Sequence, residues 1–152
     1  MKYIEEQGNL FEVDSKYAYA HCIAYDCAMG AGIAVEFVRR YPKMRVYLKN
    51  VINKNKLTYP CVILYKDIDT VSKEHRIVFN MITKERSWGK PTYSTFEGAL
   101  DDLVDMCEKA NVKYLAIPKI GCGLDRLDWG KVSKMIQEKF AHLDIEILVR
   151  YI

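Results

Sequence analysis

Apolar residues recur along the chain with two periods, and together they predict alternating strands and helices. Short, nearly continuous apolar runs predict strands at residues 17–23, 60–65, 76–83, 114–120 and 145–151. Apolar positions at helical spacing predict helices at residues 33–41, 95–110 and 129–140. The first of these patterns continues to residue 51, with a break expected at Pro42.

The order of these elements predicts an α/β fold with a sheet covered by helices on both faces. Polar stretches at residues 53–56 and 67–74 predict surface loops that are too short to separate domains. With 152 residues and neither repeats nor a linker, residues 1–152 are expected to form a single domain.

Composition and charge exclude several classes of protein. The formal net charge of +3 is too small to indicate nucleic-acid binding by itself, although it would help to attract an anionic ligand. The five cysteines are odd in number and have no CxxC spacing, which disfavours a disulfide framework or a zinc site. No apolar stretch suits a signal peptide or a membrane span. We therefore expect a cytoplasmic protein, also nuclear in a eukaryote, that does not enter membranes.

Two glycine-containing turns, at residues 28–34 and 118–125, each follow a predicted strand and precede a predicted helix. Sheets of this class bind ligands at the carboxyl ends of their strands. Glycine lets the backbone approach a ligand closely, and free N–H groups at the start of a helix suit a phosphate. Two such turns at one edge could hold a diphosphate, although tight turns alone would also explain the glycines. Neither turn matches the Walker or the dinucleotide fingerprint, which disfavours a kinase or a nicotinamide dehydrogenase.

Two charged residues stand at ends of these elements, one after a predicted strand and one at the end of a glycine turn. Lys84 follows the strand predicted at residues 76–83, and Asp125 closes the second glycine turn. A lysine beside a carboxylate can act as a nucleophile while the acid shuttles the proton. Either residue alone would ordinarily be a solvated surface charge. Composition and spacing therefore predict a phosphate-binding α/β domain with two candidate catalytic residues.

The order of short motifs resembles one family over essentially the whole chain. The motifs are Gly8-Asn9-Leu10-Phe11, His21-Cys22-Ile23, Cys27-Ala28-Met29-Gly30-Ala31-Gly32-Ile33-Ala34, Ile82-Thr83-Lys84, Lys90-Pro91-Thr92-Tyr93 and Ile120-Gly121-Cys122-Gly123-Leu124-Asp125-Arg126-Leu127. They resemble macrodomains of the terminal ADP-ribose protein glycohydrolase type, also called O-acetyl-ADP-ribose deacetylases. Residues 39–44 are also similar to antitoxin macrodomains that remove ADP-ribose from DNA bases.

The resemblance implies a macrodomain fold with a mixed central sheet flanked by helices, and a monomer that needs neither metal nor cofactor. It implies that Lys84 attacks the distal ribose of ADP-ribose to give a covalent lysyl intermediate, with Asp125 as acid and base. The leaving group would be a Glu or Asp side chain of a protein, the acetate of O-acetyl-ADP-ribose, or a nucleotide. The implied ligand-binding residues are Asn9, Leu10, Ala24, Met29, Gly30, Ala31, Gly32, Ile33, Ala34, Lys119, Ile120, Gly121, Cys122, Gly123, Leu124 and Ile152.

The chain departs from the family pattern at three of its positions. Asn9 replaces an aspartate expected to accept from the adenine amino group, Ala24 replaces a serine, and Arg150 replaces a tyrosine. Three functions stay open: an ADP-ribosyl hydrolase acting on proteins or O-acetyl-ADP-ribose, a hydrolase acting on DNA or RNA, and a reader that binds ADP-ribose without cleaving it.

A few further side chains near the motifs have ordinary structural interpretations. His21 is expected to be a core residue, and Cys122 a packing residue of its turn. Trp88 and Tyr93 are expected either to line the rim of the pocket or to anchor the start of a helix. Lys90, Arg86 and Arg126 are expected to be solvated charges.

Overall fold

A six-stranded sheet forms the centre of the protein, which a computed structural model describes over residues 1–152. In chain order the strands are β1 (Lys2–Gln7), β2 (Ala18–Ala24), β3 (Cys61–Ile68), β4 (His75–Lys84), β5 (Tyr114–Ile117) and β6 (Glu146–Tyr151). Their order across the sheet is β1-β6-β5-β2-β4-β3. Five strands are parallel, and β3 pairs antiparallel with β4 at one edge. The predicted mixed sheet is confirmed.

Helices cover both faces of this sheet, as predicted. They are α1 (Ile33–Arg40), α2 (Met44–Asn55), α3 (Tyr93–Lys109) and α4 (Trp129–Phe140), with a short 3-10 helix at Leu10–Glu12. Phe37 of α1 and Leu48 of α2 pack into one core cluster, while Phe96 of α3 and Ile136 of α4 pack into the other. The two clusters lie on opposite faces of the sheet because alternate strand residues point to opposite sides. No helix is both long and apolar enough to cross a membrane.

Several predicted boundaries were wrong, each for a physical reason. The strand predicted at residues 114–120 ends at Ile117 because Pro118 has no N–H with which to continue the ladder. The loop predicted at residues 53–56 is largely the last turn of α2, which ends at a left-handed Lys56. Strand β3 extends into the loop predicted at residues 67–74 because its ladder with β4 continues to that point.

Two further findings concern whole elements rather than boundaries. The apolar pattern of residues 33–51 forms two separate helices, α1 and α2, with the break at Pro42 that the sequence predicted. Strand β1 was missed because its sequence, KYIEEQ, is mostly polar. As an edge strand it pairs only with β6, so the sheet does not require it to be apolar on both faces.

His21 is a buried core residue of β2, as predicted. Its Nε2 lies 2.7 Å from Oδ1 of Asn80, and its ring stacks on Phe37 with 4.0 Å between the centroids. Burial disfavours the charged imidazolium and lowers the pKa of His21 to about 4, although the hydrogen bond to Asn80 opposes this shift. The residue is therefore neutral at physiological pH, which suits a packing role.

Candidate functional site

Lys84 and Asp125 meet at the carboxyl edge of the sheet. Lys84 is the last residue of β4, and its Nζ lies 2.6 Å from Oδ1 of Asp125 in the loop between β5 and α4. Only 11% of the lysine side chain and 13% of the aspartate side chain are exposed. The Tyr25 N–H donates to the Lys84 carbonyl oxygen at 2.8 Å, which joins the end of β4 to the chain leaving β2. The pair is thus a shielded amine–carboxylate contact rather than two solvated surface charges.

A cavity of about 420 Å³ opens over this pair. The two predicted glycine turns form its walls, and the ends of β2 and β4 form its floor. Of the residues predicted to bind ligand, it is lined by Ala24, Met29, Gly30, Ala31, Gly32, Ile33, Ala34, Lys119, Ile120, Gly121, Cys122, Gly123 and Leu124. The structure therefore places both turns on one cavity with Lys84 and Asp125, as expected for turns at the carboxyl ends of neighbouring parallel strands.

The three remaining predicted residues, Asn9, Leu10 and Ile152, line a second cavity of about 670 Å³. Ile33, Pro118 and Lys119 line both cavities, so the two are compartments of one cleft. Every residue predicted from the sequence thus lies on this cleft. Their binding roles stay predictions.

The backbone of both turns needs glycine at one position each. Gly32 has φ 61° and ψ −150° at the N-cap of α1, and no side chain caps the helix there. Gly121 has φ 76°, and a Cβ at this position would lie 3.1 Å from a methyl carbon of Leu127. Conformations with positive φ of this kind are accessible mainly to glycine. The uncapped start of α1 leaves backbone N–H groups available to an anion at the mouth of the cavity.

Asp26 ties together two loops that border the Lys84–Asp125 pair, a role that the sequence did not reveal. Its Oδ2 accepts the Ser87 N–H at 2.8 Å, and its Oδ1 accepts the Ala28 N–H at 3.0 Å. Burial raises the pKa of the Asp26 carboxyl, but these N–H donors outweigh it and hold the pKa below its ordinary value. The Asx-turn spacing of Asp26 and Ala28 was a readable signal for the local bond. The bond to Ser87 spans 61 residues and had no local signal.

The thiols that line the cavity are protonated at neutral pH. Burial raises the pKa of Cys122 to about 11 and raises that of Cys22 further above its ordinary value. A protonated thiol is a poor nucleophile. Cys122 is half-buried, and its Sγ donates to the Ile120 carbonyl oxygen at 3.3 Å, in agreement with the predicted packing role.

The alternatives for Trp88 and Tyr93 have different outcomes. The Tyr93 hydroxyl accepts the Asp128 N–H at 3.0 Å, so Tyr93 anchors the start of α4. Trp88 is 77% exposed beside the guanidinium of Arg86, outside the lining of either cavity. Lys90, predicted to be a solvated charge, is exposed but also donates to the Leu124 carbonyl oxygen and so connects two loops of the site.

Two of the three departures from the family pattern, Asn9 and Arg150, line the second cavity, whereas Ala24 lines the first. Asn9 Oδ1 accepts the Phe11 N–H at 2.9 Å and caps the 3-10 helix. Arg150 Nε donates to Glu6 Oε1 at 2.6 Å, and its Nη1 donates to the Asn9 carbonyl oxygen at 3.1 Å. Asn9 keeps a second lone pair on Oδ1, while Arg150 adds a cation to the cavity wall.

Sequence comparisons place this architecture among known proteins. Residues 21–136 match the family described as Macro domain. The chain is 38% identical over 143 residues to the human ADP-ribose glycohydrolase OARD1, covering 94% of this chain and 87% of that protein. It is 29% identical over 146 residues to the DNA ADP-ribosyl glycohydrolase of Thermus aquaticus, covering 94% of this chain and 39% of that protein.

Structural comparison gives the same fold. The macrodomain of Thermus aquaticus DarG superposes with a TM-score of 0.85 at 24% identity, covering 99% of this chain and 98% of that chain. The macrodomain of Mycobacterium tuberculosis DarG superposes with a TM-score of 0.85 at 23% identity, covering 97% and 96%. At these identities the likeness establishes the fold alone, whereas the family match covers most of the chain. The chain belongs to the macrodomain family.

Proposed function

We propose that the protein is an ADP-ribosyl glycohydrolase that releases ADP-ribose from glutamate and aspartate side chains of modified proteins. The observation that supports this proposal most directly is the 2.6 Å contact between Lys84 Nζ and Asp125 Oδ1 inside the cavity. A protein that only binds ADP-ribose needs no shielded amine paired with a carboxylate. Support also comes from the human and bovine relatives, which are both named ADP-ribose glycohydrolase.

The cleft has compartments of suitable chemistry for each part of ADP-ribose. The diphosphate would lie between the two glycine turns, where backbone N–H groups and the start of α1 attract anions. The adenosine would extend into the second cavity beside Asn9 and Ile152. The distal ribose would then face Lys84 and Asp125. Holding the diphosphate still raises the effective concentration of the amine at the anomeric carbon.

In the first step Asp125 takes a proton from the Lys84 ammonium group along their hydrogen bond, which frees the lone pair on the nitrogen. The Lys84 nitrogen then bonds to the anomeric carbon as the bond from that carbon to the ester oxygen breaks. The departing carboxylate keeps the bonding electron pair. The product is a lysyl–ADP-ribose adduct beside a protonated Asp125.

In the second step the carbon–nitrogen bond breaks with its electrons going to nitrogen, and Asp125 returns its proton to that nitrogen, which restores the ammonium group. Water bonds to the anomeric carbon and gives a proton to the Asp125 carboxylate, which passes it to solvent. ADP-ribose leaves and both side chains regain their starting state. The net reaction consumes one water molecule and uses no metal or cofactor.

A second candidate function is the release of ADP-ribose from DNA or RNA. It is favoured by the mycobacterial and Thermus relatives, which are named DNA ADP-ribosyl glycohydrolase, at 26% and 29% identity. The same Lys84 chemistry would serve both substrates because the anomeric carbon is common to them. The two functions differ in the surface that meets the leaving group.

The test is ADP-ribose release by the purified protein from a Glu/Asp-ADP-ribosylated protein and an ADP-ribosylated DNA strand, assayed in parallel. O-acetyl-ADP-ribose serves as a third substrate. Lys84→Ala is the test variant, and Lys134→Ala, which removes an exposed lysine of α4, is the matched control. We expect release that is lost in Lys84→Ala and kept in Lys134→Ala. The preferred substrate decides between the two functions.

A wild-type protein that binds ADP-ribose but releases none from any substrate would contradict the glycohydrolase function. It would favour the alternative that the protein binds ADP-ribose without cleaving it. Equal turnover by Lys84→Ala and wild type would contradict the lysine mechanism.

We further propose that the protein acts as a monomer in a reducing, cytoplasmic setting, to which the five free cysteines are suited. Sedimentation analysis and fractionation of the source cells would test these two points.

A further inference from the structure

Charge is strongly segregated along the chain. Residues 37–66 contain eight Lys and Arg residues and no Asp or Glu. Because the whole chain has 23 basic and 20 acidic residues, the other 122 residues carry 15 basic and 20 acidic ones. The small net charge of +3 therefore hides a strongly basic segment within a slightly acidic remainder.

The fold places the helix of this basic segment and the most acidic helix on opposite faces of the sheet. Helix α2, the centre of the basic segment, lies on one face of the sheet and has Arg45, Lys49 and Lys54 but no acid. Helix α3 lies on the other face and has five acids and one lysine. Helix α4, which shares the face of α3, has three lysines and one glutamate, so the contrast lies between α2 and α3 rather than between whole faces. A polyanion is attracted to α2 and repelled from α3.

Six of the eight cations of the basic segment have no intramolecular ion-pair partner. Arg39 and Arg40, at the start of the segment, pair with Glu36 and Asp69, and Lys109 and Lys139 elsewhere in the protein pair with nearby carboxylates. No ion pair within 4.0 Å involves the six later cations of the basic segment, Lys43, Arg45, Lys49, Lys54, Lys56 and Lys66. Their charge is available to an external anion.

This face adjoins the mouth of the catalytic cleft. Arg45 Nε donates to the Cys27 carbonyl oxygen at 2.9 Å, which fixes α2 against the first glycine turn. Lys49 and Asn53, one and two turns further along the same side of α2, line a groove of about 320 Å³ with Arg86, two residues after Lys84. Asp26 and Glu85 also line the groove, and the Asp26 carboxylate is engaged by the N–H groups of Ala28 and Ser87. A chain that leaves the catalytic cavity beside Lys84 therefore meets α2 directly.

We propose that the exposed side of α2, with Arg86, is a docking surface for the phosphate backbone of a single-stranded nucleic acid. The surface lies outside the ADP-ribose cleft. The inference rests on the proposed function in one respect only, namely that the docked strand belongs to the ADP-ribosylated substrate. Exposed Trp88 lies beside Arg86 and exposed Tyr59 beside Tyr25, and both of these neighbours line the groove. The two rings are surfaces on which unpaired bases can stack. Unpaired basic side chains beside exposed aromatic rings are the combination that such strands require.

An anionic membrane surface fits this face less well. The apolar side of α2, formed by Met44, Leu48 and Ile52, is buried against the sheet. A helix that binds in the membrane interface must instead present its apolar side to the lipid. Basic residues alone would give weak, purely electrostatic attraction to lipid headgroups.

The test is binding of an unmodified single-stranded oligonucleotide of about sixteen nucleotides, followed by fluorescence anisotropy over a range of salt concentrations. The test variant is Lys49→Gln/Lys54→Gln, and the matched control is Lys113→Gln/Lys134→Gln, which removes the same charge from other exposed sites. The slope of log K against log salt is negative, and each phosphate contact contributes about −0.7 to it for single strands. Loss of two contacts therefore makes the slope less steep by about 1.4. We expect this change in the test variant and not in the control.

Equal effects of the two double variants, absence of binding at low salt, or tighter binding to phosphatidylserine vesicles than to the oligonucleotide would each overturn the proposal. Binding of free ADP-ribose, which occupies the cleft and not α2, is expected to be unchanged in both double variants. A wild-type protein that binds the oligonucleotide through Lys49 and Lys54 but hydrolyses nothing would refute the proposed function while supporting the docking surface.

Discussion

Asp26 Oδ2 accepts the backbone N–H of Ser87 at 2.8 Å, and this bond joins the first glycine turn to the loop that follows Lys84. The same carboxylate also accepts the Ala28 N–H. One side chain therefore sets the distance between the turn that would hold the diphosphate and the strand end that carries the lysine. Asp26 is a positioning residue, since it acts through backbone groups.

Replacing Asp26 with alanine should slow the reaction more than it weakens binding. We expect Asp26→Ala to lower kcat about tenfold, because a small displacement of a reacting group costs much of the advantage of proximity. The lost hydrogen bonds should lower the free energy of unfolding by about 1–2 kcal/mol. Steady-state kinetics and urea unfolding measure the two effects.

Asp26→Asn, which keeps one acceptor oxygen, should recover part of the lost kcat. A purely structural role would be indicated if Asp26→Ala raised KM and lowered stability while kcat stayed at the wild-type value. Asp144→Ala, at an exposed position remote in sequence, controls for loss of a negative charge.

His21 makes stability sensitive to mild acid. Burial lowers the pKa of His21 in the folded protein to about 4 from 6.5. Between pH 6.5 and 4 the unfolded chain therefore binds a proton at this residue and the folded protein does not. Above pH 6.5 both states are neutral at this residue and it imposes no pH dependence. The free energy of unfolding should therefore fall by up to about 3 kcal/mol as the pH decreases from 6.5 to 4.

The measurement is urea unfolding at a series of pH values for the wild type and for His21→Gln. Glutamine has no proton to gain, so its curve should be flatter between pH 6.5 and 4, even if its stability at pH 7 is lower. Parallel curves for the two proteins would show that other groups cause the acid sensitivity.

The two glycines of the second turn should respond differently to a methyl group. Gly121→Ala forces a side chain into positive φ and against Leu127 and Phe96, so we expect a loss of about 1–3 kcal/mol in stability. Gly123→Ala meets no atom within 4 Å and should leave stability unchanged.

Both substitutions should weaken ADP-ribose binding, Gly121→Ala through a distorted turn and Gly123→Ala through a methyl group in the space of the diphosphate. Thermal unfolding and calorimetric titration separate these effects. Wild-type affinity in Gly123→Ala would show that the diphosphate does not approach this part of the turn.

Asn9→Asp tests the most conspicuous departure from the family pattern. Aspartate can keep the cap on the Phe11 N–H and adds a negative charge that strengthens acceptance from the adenine amino group. We expect ADP-ribose affinity to rise about threefold to tenfold. Hypoxanthine-containing IDP-ribose has no amino group and should gain nothing, so an equal gain for both ligands would place Asn9 away from the adenine edge.

Local sequence determined most of the secondary structure. Helix α4 occupies residues 129–140 as predicted, because its apolar positions recur at helical spacing and Asp128 caps its first turn. The glycines of both turns and the position of Lys84 at a strand end were also readable. These features depend on interactions between residues a few positions apart. A short stretch of sequence is therefore enough to predict them.

Tertiary structure decided the features that join distant parts of the chain. Asp125 meets Lys84 across 41 residues, and Asp26 meets Ser87 across 61. Strand β1 is a strand because β6, at the far end of the chain, supplies its hydrogen-bond partners. The basic surface of α2 became a face only when the sheet separated it from the acids of α3. Periodicity specifies which side of an element is apolar, but only the packed fold determines which polar groups meet.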